Sequence, residues 1–438
     1  MTTQNKFTRR QFVQSTSLAT VAAPFLLPSS VWSAEVGPND KIVMGFIGVG
    51  TQGRGLLNGF LRSKDTQVVA VCDVDTTRRE HSKKTIEDYY SQQNQKDYKG
   101  CAAYNDFREL LARQEINAVC IATPDHWHAI PVIKACEAKK DIYCEKPLSL
   151  TIAEARAMAN AVRKHDRVFQ TGSMQRSDSA FLKGCEVVRN GRVGEVKEIF
   201  VSVGGPSKWC DLPEEPMEPG LDWDFWLGPA PKRPYHSVLS PRGVHKHFPN
   251  WRNYREYSGG GMTDWGAHHF DIAQWALGMD DSGPVEITPP DGKDVKRLTY
   301  RYANGVVMYH GGKPKVEGKE YGFGVVVVGT QGEVCMDRGR FRTYPEELGK
   351  DYVANSLPVK LYKSSNHLQD FLKCVRSRQR PICDVEVGAR SVTVCHLGNL
   401  AYWNKRALKW DPKKETFIGD AEANTWLDVP KRAPWKLA

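Results

Sequence analysis

Short apolar runs alternate with helical patterns through residues 41–172. Apolar runs bounded by turn residues are typical of buried strands, whereas the longer stretches between them repeat apolar positions at helical spacing. The alternation predicts an α/β domain with a Rossmann-type, doubly wound parallel sheet. The predicted strands are 42–49, 68–72, 118–122, 141–144 and 168–171, and the predicted helices include 53–63, 106–113, 130–139 and 152–165, the last capped by Thr151 with Glu154.

The pattern changes after Gly172, where longer strand-like runs appear at 196–203, 295–302, 306–310 and 324–329. Asn304-Gly305, Gly311-Gly312 and Gln331-Gly332 follow these runs as hairpin signals. We therefore expect a second, α+β domain over residues 173–438 with a largely antiparallel open sheet. A segment rich in proline and tryptophan interrupts it at about 204–257, and two helices are predicted at 367–378 and 387–408.

The first 34 residues differ from the rest of the chain. Thr8-Arg9-Arg10-Gln11-Phe12 is followed by an uncharged stretch that ends at Ala34, an arrangement typical of a twin-arginine export signal. A membrane anchor is the alternative, but the apolar part is shorter than the ~20 residues that span a bilayer, and Pro24 interrupts it. We predict cleavage near Ser33 or Ala34, export of the folded protein to the periplasm by the twin-arginine machinery, and no stable membrane insertion afterwards.

Charge and cysteine content exclude two classes of protein. The formal net charge of +10 over 438 residues is dispersed among acids, and no basic run interleaved with aromatic residues indicates a nucleic-acid partner. The 11 cysteines are odd in number and show no Cys-x-x-Cys spacing. Several of them, such as Cys72, Cys120 and Cys144, lie in apolar runs, which favours buried thiols over a disulfide scaffold.

A glycine motif follows the first predicted strand directly and leads into a helix. Its Gly-x-Gly-x-x-Gly spacing allows a tight turn and a close approach of the backbone to a pyrophosphate, whose charge a helix N-terminus favours. Asp73 ends the second strand, where an acid meets the ribose hydroxyls and repels a 2′-phosphate, so NAD is favoured over NADP. Arg78 and Arg79 weaken that preference, and an alternative role for Asp73 is to cap the next helix. The predicted nucleotide contacts here are Gly48, Gly50, Thr51, Gln52, Gly53, Asp73 and Arg78.

Three further motifs carry a specific resemblance. They are Ala122-Thr123-Pro124-Asp125-His126-Trp127-His128, Cys144-Glu145-Lys146-Pro147-Leu148 and Asp264-Trp265-Gly266-Ala267-His268-His269-Phe270-Asp271. From about Lys41 to its end, the chain resembles the glucose-fructose oxidoreductase, inositol dehydrogenase and rhizopine-catabolism family, written Gfo/Idh/MocA. The resemblance implies a nicotinamide-binding Rossmann domain, a second domain whose open sheet carries the substrate site, and a homo-oligomer.

Glu145 and Lys146 follow the predicted strand 141–144. Open parallel sheets bind ligands at the carboxyl ends of their strands, so Lys146 is placed to face the nicotinamide and to transfer a proton. A surface lysine paired with Glu145 is the alternative. A cis bond before Pro147 is expected to orient the pair. The other predicted nucleotide contacts are Thr123, Pro124, Trp127 and His128, in the loop after strand 118–122.

Asp264 and His268 are four residues apart at the start of a predicted helix, with Asp271 one turn further along the same face. An acid beside a histidine suits a proton relay. The resemblance implies that His268 accepts the hydroxyl proton while Asp264 orients the substrate or the imidazole. A capped helix with a buried, hydrogen-bonded histidine is the alternative.

A metal site is an alternative to this interpretation, because several histidines could converge with Asp264. None of their spacings matches a known ligand pattern such as His-Glu-x-x-His, so no metal is predicted. The histidines concerned are His126, His128, His245, His247, His268 and His269.

Substrate contacts are predicted at Gln175 and Arg176, just past the last Rossmann strand, and at Trp251 and Arg252 in the tryptophan-rich segment. Tryptophans at 209, 223, 226 and 251 serve either as core anchors or as stacking surfaces for a pyranose. His268 is also expected to touch the substrate.

The sequence therefore predicts an exported oxidoreductase that transfers a hydride between a secondary alcohol of a sugar, polyol or glycoside and tightly bound NAD, with NADP as the alternative cofactor. One rival is an NAD-dependent glycosidase similar to glycoside hydrolase family 109, which oxidises C3 transiently and eliminates the leaving group. In that family we expect valine at the position of Lys146, which favours the dehydrogenase. The other rival is a catalytically silent saccharide-binding protein, which needs neither Lys146 nor the Asp264 and His268 pair.

Overall fold

The computed structural model describes residues 40–93, 97–315, 321–350, 352 and 357–437. Residues 42–438 form one compact unit, and residues 1–41 form a separate one, of which only 40 and 41 are described. The predicted export signal at 1–34 lies outside the described residues. Within them, no helix combines the length and the apolar character needed to cross a bilayer.

The first half of the compact unit is built on a 6-stranded sheet in the order β3-β2-β1-β4-β5-β6, and every neighbouring pair is parallel. Apolar side chains fill both faces of this sheet, as expected for strands covered by helices on both sides. The strands are β1 Ile42–Ile47, β2 Thr66–Cys72, β3 Ala102–Tyr104, β4 Ala118–Ile121, β5 Asp141–Cys144 and β6 Phe169–Thr171. The helices are α1 Thr51–Leu61, α2 Thr76–Gln92, α3 Phe107–Leu111, α4 Ala129–Glu137 and α5 Ile152–Lys164.

All five predicted Rossmann strands are present, and β5 has the predicted bounds. Strand β3 was missed because its three residues are only half-buried and carry no apolar run. The predicted cap of α5 is confirmed: Thr151 Oγ1 accepts a hydrogen bond from the amide of Glu154 at 3.2 Å.

The second half contains a 9-stranded sheet in the order β13-β12-β11-β7-β10-β9-β8-β14-β15. Only the β7 and β10 pair is parallel, so the predicted largely antiparallel sheet is confirmed. The strands are β7 Val196–Val201, β8 Glu286–Thr288, β9 Thr299–Arg301, β10 Val307–His310, β11 Val325–Gly329, β12 Glu333–Asp337, β13 Arg340–Tyr344, β14 Leu408–Asp411 and β15 Thr416–Phe417. The helices are α6 Ser179–Arg189, α7 Trp223–Leu227, α8 Gly261–Asp264, α9 Gly266–Leu277, α10 Glu347–Lys350, α11 His367–Ser377, α12 Val385–Asn404 and α13 Ala421–Asn424.

Two of the three predicted hairpins are confirmed and one prediction was wrong. Asn304-Gly305 connects β9 to β10, and Gln331-Gly332 connects β11 to β12. Gly311-Gly312 does not join neighbouring strands, because β7 lies between β10 and β11 and pairs with both. The helix predicted at 387–408 ends at Asn404, since Lys405 adopts a left-handed conformation and Leu408 begins β14.

The segment at 204–257 forms an aromatic cluster of its own. Trp223, Trp226 and Trp251 are buried in it together with Tyr235 and Tyr257, whereas Trp209 is 61% exposed. Trp223 stacks on Trp226 at 4.6 Å between ring centroids. The tryptophans therefore act mainly as core anchors, and this small core positions the segment that follows it.

Candidate active site

One cavity of about 490 Å³ runs from the glycine motif to the start of α9. The carboxyl ends of β1, β2, β4 and β5 contribute one wall, and residues of the 240–265 region contribute the other. The cavity therefore lies where an open parallel sheet binds ligands.

Lys146 lies in this cavity immediately after β5 and is held from the opposite wall by Asp264. Its Nζ donates to Oδ1 of Asp264 at 2.6 Å and to the backbone oxygen of Asp264 at 3.0 Å. Arg252 Nε lies 3.6 Å from the same carboxylate oxygen. Burial acts to raise the pKa of Asp264, but Lys146 and Arg252 outweigh it and hold the pKa below its ordinary value. The Asp264 carboxylate is therefore ionised, and it orients the side chains of Lys146 and Arg252.

Glu145 lies beneath Lys146 and is only 4% exposed. Its Oε1 accepts a hydrogen bond from Gln52 Nε2 at 2.9 Å, and its Oε2 accepts one from the amide of Lys146 at 3.1 Å. Burial raises the pKa of Glu145, with Lys146 opposing the rise. The Lys146–Pro147 peptide bond is cis, as predicted. Glu145 therefore connects Gln52 on α1 to the backbone of Lys146, and its carboxylate does not pair with the Lys146 ammonium.

His268 lines the same cavity from the first turn of α9. Burial lowers its pKa well below the ordinary value, and the nearby charges of Lys146 and Arg338 add to the effect. Its Nδ1 is buried and finds no hydrogen-bond partner among the described residues. The imidazole is therefore neutral and can act as a proton acceptor, and its lowered pKa makes it a weaker base than an exposed histidine.

The expected pairing of Asp264 with His268 and Asp271 is not made. Asp264 ends the short helix α8, Trp265 separates it from α9, and the partners of its carboxylate are Lys146 and Arg252. Asp271 is fully buried and binds Arg176 instead. The break between the two helices removes the continuous face on which the sequence prediction depended.

The glycine motif fits a nucleotide pyrophosphate. Gly48 has a φ of +85°, and a Cβ there would lie 2.7 Å from the backbone at Ala122 and Thr123. A Cβ on Gly53 would collide with the oxygen of Gly48 at 2.1 Å, whereas one on Gly50 would meet nothing within 4 Å. Gly48 and Gly53 therefore allow the turn to pack closely, and Gly50 leaves the backbone accessible to a ligand. Helix α1 begins at Thr51 with no acid in its first turn and no side-chain cap, so its first amides are available to an anion.

Asp73 lies at the end of β2 and lines the cavity. Its Oδ2 accepts a hydrogen bond from the amide of Val49 at 2.8 Å, and its Oδ1 accepts one from Asp75 at 3.0 Å. Burial raises the pKa of Asp73, and Arg78 with these two amides offsets part of the rise. The cap of α2 is Asp75 and not Asp73, so the alternative role considered for Asp73 was wrong.

Residues 240–249 cross over the glycine motif, and we call them the strap. Thr51 Oγ1 donates to the oxygen of His247 at 2.8 Å, and Arg54 Nη2 donates to the oxygen of His245. Arg78 Nε donates to the oxygen of Gly243 at 3.2 Å, and its other nitrogens bind Ser240 Oγ at 3.2 Å and the oxygen of Pro241. The strap is therefore tied to the Rossmann half by one hydroxyl and two guanidinium groups.

These contacts change the prediction for Arg78. Its guanidinium lines the cavity, but its donors are used on the strap and on Asp75, 3.5 Å away. Arg79 is also engaged, donating to the backbone oxygen of Asp73 at 2.6 Å. Arg78 thus serves the nucleotide site chiefly by holding the strap in place.

The loop after β4 divides into residues that face the cavity and residues that do not. Thr123, Pro124 and Trp127 line it, and Trp127 Nε1 donates to the oxygen of Trp226 at 2.9 Å. His128, predicted as a nucleotide contact, does not line the cavity, because both ring nitrogens are bound within the protein. They contact the oxygens of Pro147 at 2.8 Å and Thr123 at 2.9 Å, so His128 clamps two cavity loops together.

The four substrate residues predicted in addition to His268 also divide. Trp251 and Arg252 line the cavity, and the Arg252 guanidinium lies 4.2 Å from the centre of the Trp251 ring. Gln175 and Arg176 are buried away from its lining. Arg176 is 2% exposed and binds Asp271 and Asp280 through several nitrogens. The substrate prediction for Arg176 was wrong, because a guanidinium buried this deeply needs carboxylate partners inside the protein.

The histidines weighed as metal ligands do not gather in one place. His245 and His247 belong to the strap, and His126 packs in the aromatic cluster with Nε2 near the oxygen of Trp226. His269 Nδ1 lies 3.2 Å from the oxygen of Ser202, on the second sheet. In the part of the chain that the structure describes, no group of three or more His, Cys, Asp or Glu residues is arranged to hold a metal ion.

Asp125, Trp265 and Arg338 are among the cavity residues that the sequence prediction missed. Asp125 accepts a hydrogen bond from Ser258 Oγ at 2.6 Å, and burial raises its pKa to about 7. Trp265 is 44% exposed, and Arg338 approaches from the turn between β12 and β13. Asp125 and Trp265 lay within motifs already noted. Arg338 carried no signal, because the hairpin that brings it to the cavity was itself not predicted.

Two family models match the chain. One, described as an oxidoreductase family NAD-binding Rossmann fold, covers residues 42–173, and the other, described as an oxidoreductase family C-terminal alpha/beta domain, covers residues 207–437.

Myo-inositol 2-dehydrogenase of Thermotoga maritima is 25% identical over 324 residues, which are 70% of this chain and 84% of that protein. Glycosyl hydrolase family 109 protein 2 of Shewanella sp. (strain ANA-3) is 34% identical over 140 residues, which are 32% of this chain and 30% of that protein. Among solved structures, aldose-aldose oxidoreductase from Caulobacter crescentus has a TM-score of 0.56 at 17% identity, covering 84% of this chain and 99% of that one.

Proposed function

The chain belongs to the Gfo/Idh/MocA family of NAD-binding oxidoreductases, and from this premise we propose that it is exported and oxidises a secondary alcohol of a sugar, polyol or glycoside reversibly with tightly held NAD(P). One observation carries the proposal. Lys146 and the Asp264 and His268 side chains come from different halves of the chain and line the cavity that also contains the glycine motif and Asp73.

The nicotinamide nucleotide, when bound, supplies the hydride acceptor or donor. The glycine motif with the first amides of α1 holds the pyrophosphate, and Asp73 holds the ribose. The substrate hydroxyl loses one proton, which either the neutral imidazole of His268 or the uncharged form of Lys146 Nζ receives and returns in the reverse direction. Asp264 orients Lys146, to which it is bound at 2.6 Å, and not the imidazole.

NAD is the favoured cofactor in this proposal. The Asp73 carboxylate repels a 2′-phosphate, and rescue by an arginine requires free guanidinium donors. The guanidinium of Arg78 donates its hydrogen bonds to the strap, and the guanidinium of Arg79 donates to the backbone oxygen of Asp73. Neither arginine is free to take up the additional phosphate without losing these contacts.

Retention of the cofactor follows from the proposed export. The periplasm offers no dependable supply of nicotinamide nucleotide, so a protein exported in the folded state carries its cofactor with it. The strap supports this proposal, because its hydrogen bonds to Thr51, Arg54 and Arg78 must break before a nucleotide beneath it can leave. A retained cofactor requires a second substrate that returns the hydride, giving ping-pong kinetics. Assembly into a homo-oligomer stays a prediction from the family resemblance.

The test begins with protein purified from the periplasm and dialysed extensively. Denaturing the protein should release about one equivalent of NAD or NADP per chain, because only the folded state binds the nucleotide. The bound nucleotide should also stabilise the folded state by mass action. Saccharides added to the native protein should then change the absorbance of the bound nicotinamide, with no nucleotide supplied. A dialysed protein that contains no nucleotide and turns over only with added NAD(P) would contradict the retained-cofactor mechanism.

A glycosidase is the second candidate, because the partial match to glycosyl hydrolase family 109 protein 2 covers 140 residues. It is separated from the first by assaying an aryl glycoside. Release of the aryl group without net reduction of the bound nicotinamide would favour the glycosidase. Absorbance changes with free sugars and an intact glycoside bond support the oxidoreductase, and a silent binding protein would show neither.

A further inference from the structure

Arg338 reaches the catalytic end of the cavity from a hairpin that is distant in sequence. It occupies the turn between β12 and β13, and its guanidinium carbon lies 4.5 Å from the centre of the Trp265 ring. The next residue, Gly339, has a φ of +64° and donates its amide to Oδ2 of Asp178 at 3.0 Å. Asp178 also caps α6, so the turn is anchored to a helix and Arg338 is held in place at its base.

Four lysine and arginine side chains line the cavity, namely Arg78, Lys146, Arg252 and Arg338. Arg78 lies 3.5 Å from Asp75, Lys146 lies 2.6 Å from Asp264, and Arg252 lies 3.6 Å from Asp264. Among the described residues, Arg338 alone of the four has no carboxylate within ion-pair distance. The nearby Asp337 instead binds Arg340, at 2.7 Å.

The acids at this end of the cavity do not compensate for Arg338. The Asp264 carboxylate is shared by Lys146 and Arg252, and Glu145 lies buried beneath Lys146 with Gln52. Asp125 is buried against Ser258. Arg338 is exposed, so solvent screens part of its charge. Its side chain nevertheless lines the cavity with no carboxylate in ion-pair distance among the described residues, and it is near enough to lower the pKa of His268.

We propose that the substrate is an anionic saccharide, bearing a carboxylate or a sulfate, whose anionic group binds Arg338. This inference rests on the proposed function and names its substrate class. A planar guanidinium can bind two such oxygens through two parallel hydrogen bonds, and the Trp265 ring lies close enough to Arg338, at 4.5 Å, for a cation–π contact. Arg338 is thus a specificity residue, while Lys146 and His268 act on the hydroxyl group.

The test compares Arg338→Gln and Arg338→Lys with the matched control Arg340→Gln. Arg340 lies in the same hairpin and carries the same charge, but it binds Asp337 and the oxygen of Gly322 and does not line the cavity. Each variant is given glucuronate, glucose 6-sulfate and glucose, and both calorimetric binding and reduction of the bound nicotinamide are measured. Arg338→Gln should weaken binding of the acids about 10- to 100-fold and that of glucose little, with partial recovery in Arg338→Lys and none of the loss in Arg340→Gln.

The outcomes separate this inference from the proposed function. Preference for glucuronate supports a carboxylate and preference for the sulfate supports a sulfate ester. Equal use of glucose and the acids by wild type, or equal loss in Arg340→Gln, overturns the anionic substrate while leaving the oxidoreductase intact. Loss of the nucleotide from Arg338→Gln would also overturn it, by assigning Arg338 to the cofactor. If no saccharide changes the nicotinamide, the proposed function fails, and calorimetry with the two acids still decides whether the anion site exists.

Discussion

Nζ of Lys146 lies 2.6 Å from Oδ1 of Asp264, although the two residues are 118 positions apart. The lysine follows the fifth strand of the Rossmann sheet, and the aspartate ends a short helix of the other half of the chain. Their contact means that the proposed proton-transfer group is positioned only when the two halves have packed together.

Replacing Lys146 with methionine should leave the nucleotide bound and reduce kcat by about 10²- to 10⁴-fold, the usual contribution of a general acid or base. Methionine keeps most of the side-chain volume but removes the ammonium that Asp264 holds. Single-turnover reduction of the bound nicotinamide measures the effect. Lys134→Met is the control, because Lys134 pairs with Glu137 on the exposed side of α4. Wild-type kcat in Lys146→Met would contradict the assignment.

Replacing Asp73 with alanine should weaken NAD retention and increase the affinity for NADP, because the carboxylate that repels a 2′-phosphate is removed. Asp73→Asn tests the charge separately, since its side-chain oxygen can still accept the hydrogen bond from Val49. Equilibrium binding of both nucleotides to stripped protein is the measurement. Unchanged affinities in both variants would show that Asp73 only supports the turn.

Replacing Arg78 with glutamine should speed nucleotide release about tenfold or more, since three strap contacts are lost while the glycine motif is untouched. Release into an excess of a nucleotide scavenger gives the rate. Lys84→Gln provides the control, because Lys84 lies on the same helix in an exposed pair with Asp88. Equal release rates in the two variants would argue that the strap does not hold the cofactor.

Replacing Arg176 with methionine should destabilise the fold by about 3–5 kcal/mol, the cost of leaving a buried carboxylate unpaired. Asp271, at 0% exposure, is the group left without its partner. A lower urea midpoint, with substrate affinity unchanged in the protein that remains folded, is the expected result. Lys208→Met, which breaks an exposed pair with Asp211, should change the midpoint little. Reduced substrate affinity with normal stability would restore the substrate role.

His396 should make stability depend on pH. Burial lowers its pKa to about 4 in the folded state, and Nε2 lies 3.0 Å from the oxygen of Ser149. Between that value and the unfolded pKa of about 6.5, the unfolded chain binds the extra proton, so stability falls as the pH falls, by about 1.4 kcal/mol per pH unit. The destabilisation caused by His396→Asn should therefore be about 2 kcal/mol smaller near pH 5 than near pH 7.5. Urea unfolding at both values is the measurement, and an equal penalty at both would contradict the shift.

Features that depend on neighbouring residues were predicted from the sequence more successfully than features that depend on distant parts of the chain. Strand β5 and the Thr151 cap were predicted correctly, because an apolar run and a capping residue act on their immediate neighbours. Strands β12 and β13 were missed, since alternating, partly charged strands resemble loops when their pairing partners are unknown. The prediction that Asp264 and Asp271 share one helical face failed, because it assumed a continuous helix and the helix is broken at Trp265.

The Rossmann alternation, the glycine motif with Asp73, and Lys146 as a cavity residue could all be predicted from the sequence, because each depends on residues close together in the chain. The partners of the charged groups became known only from the folded chain. Arg176 and Arg338 are the same residue type, yet one is buried between two aspartates and the other faces the cavity unpaired by a carboxylate among the described residues. The physical reason is that the free energy of a charge depends on its burial and on the charges around it, and both arise from segments brought together by folding.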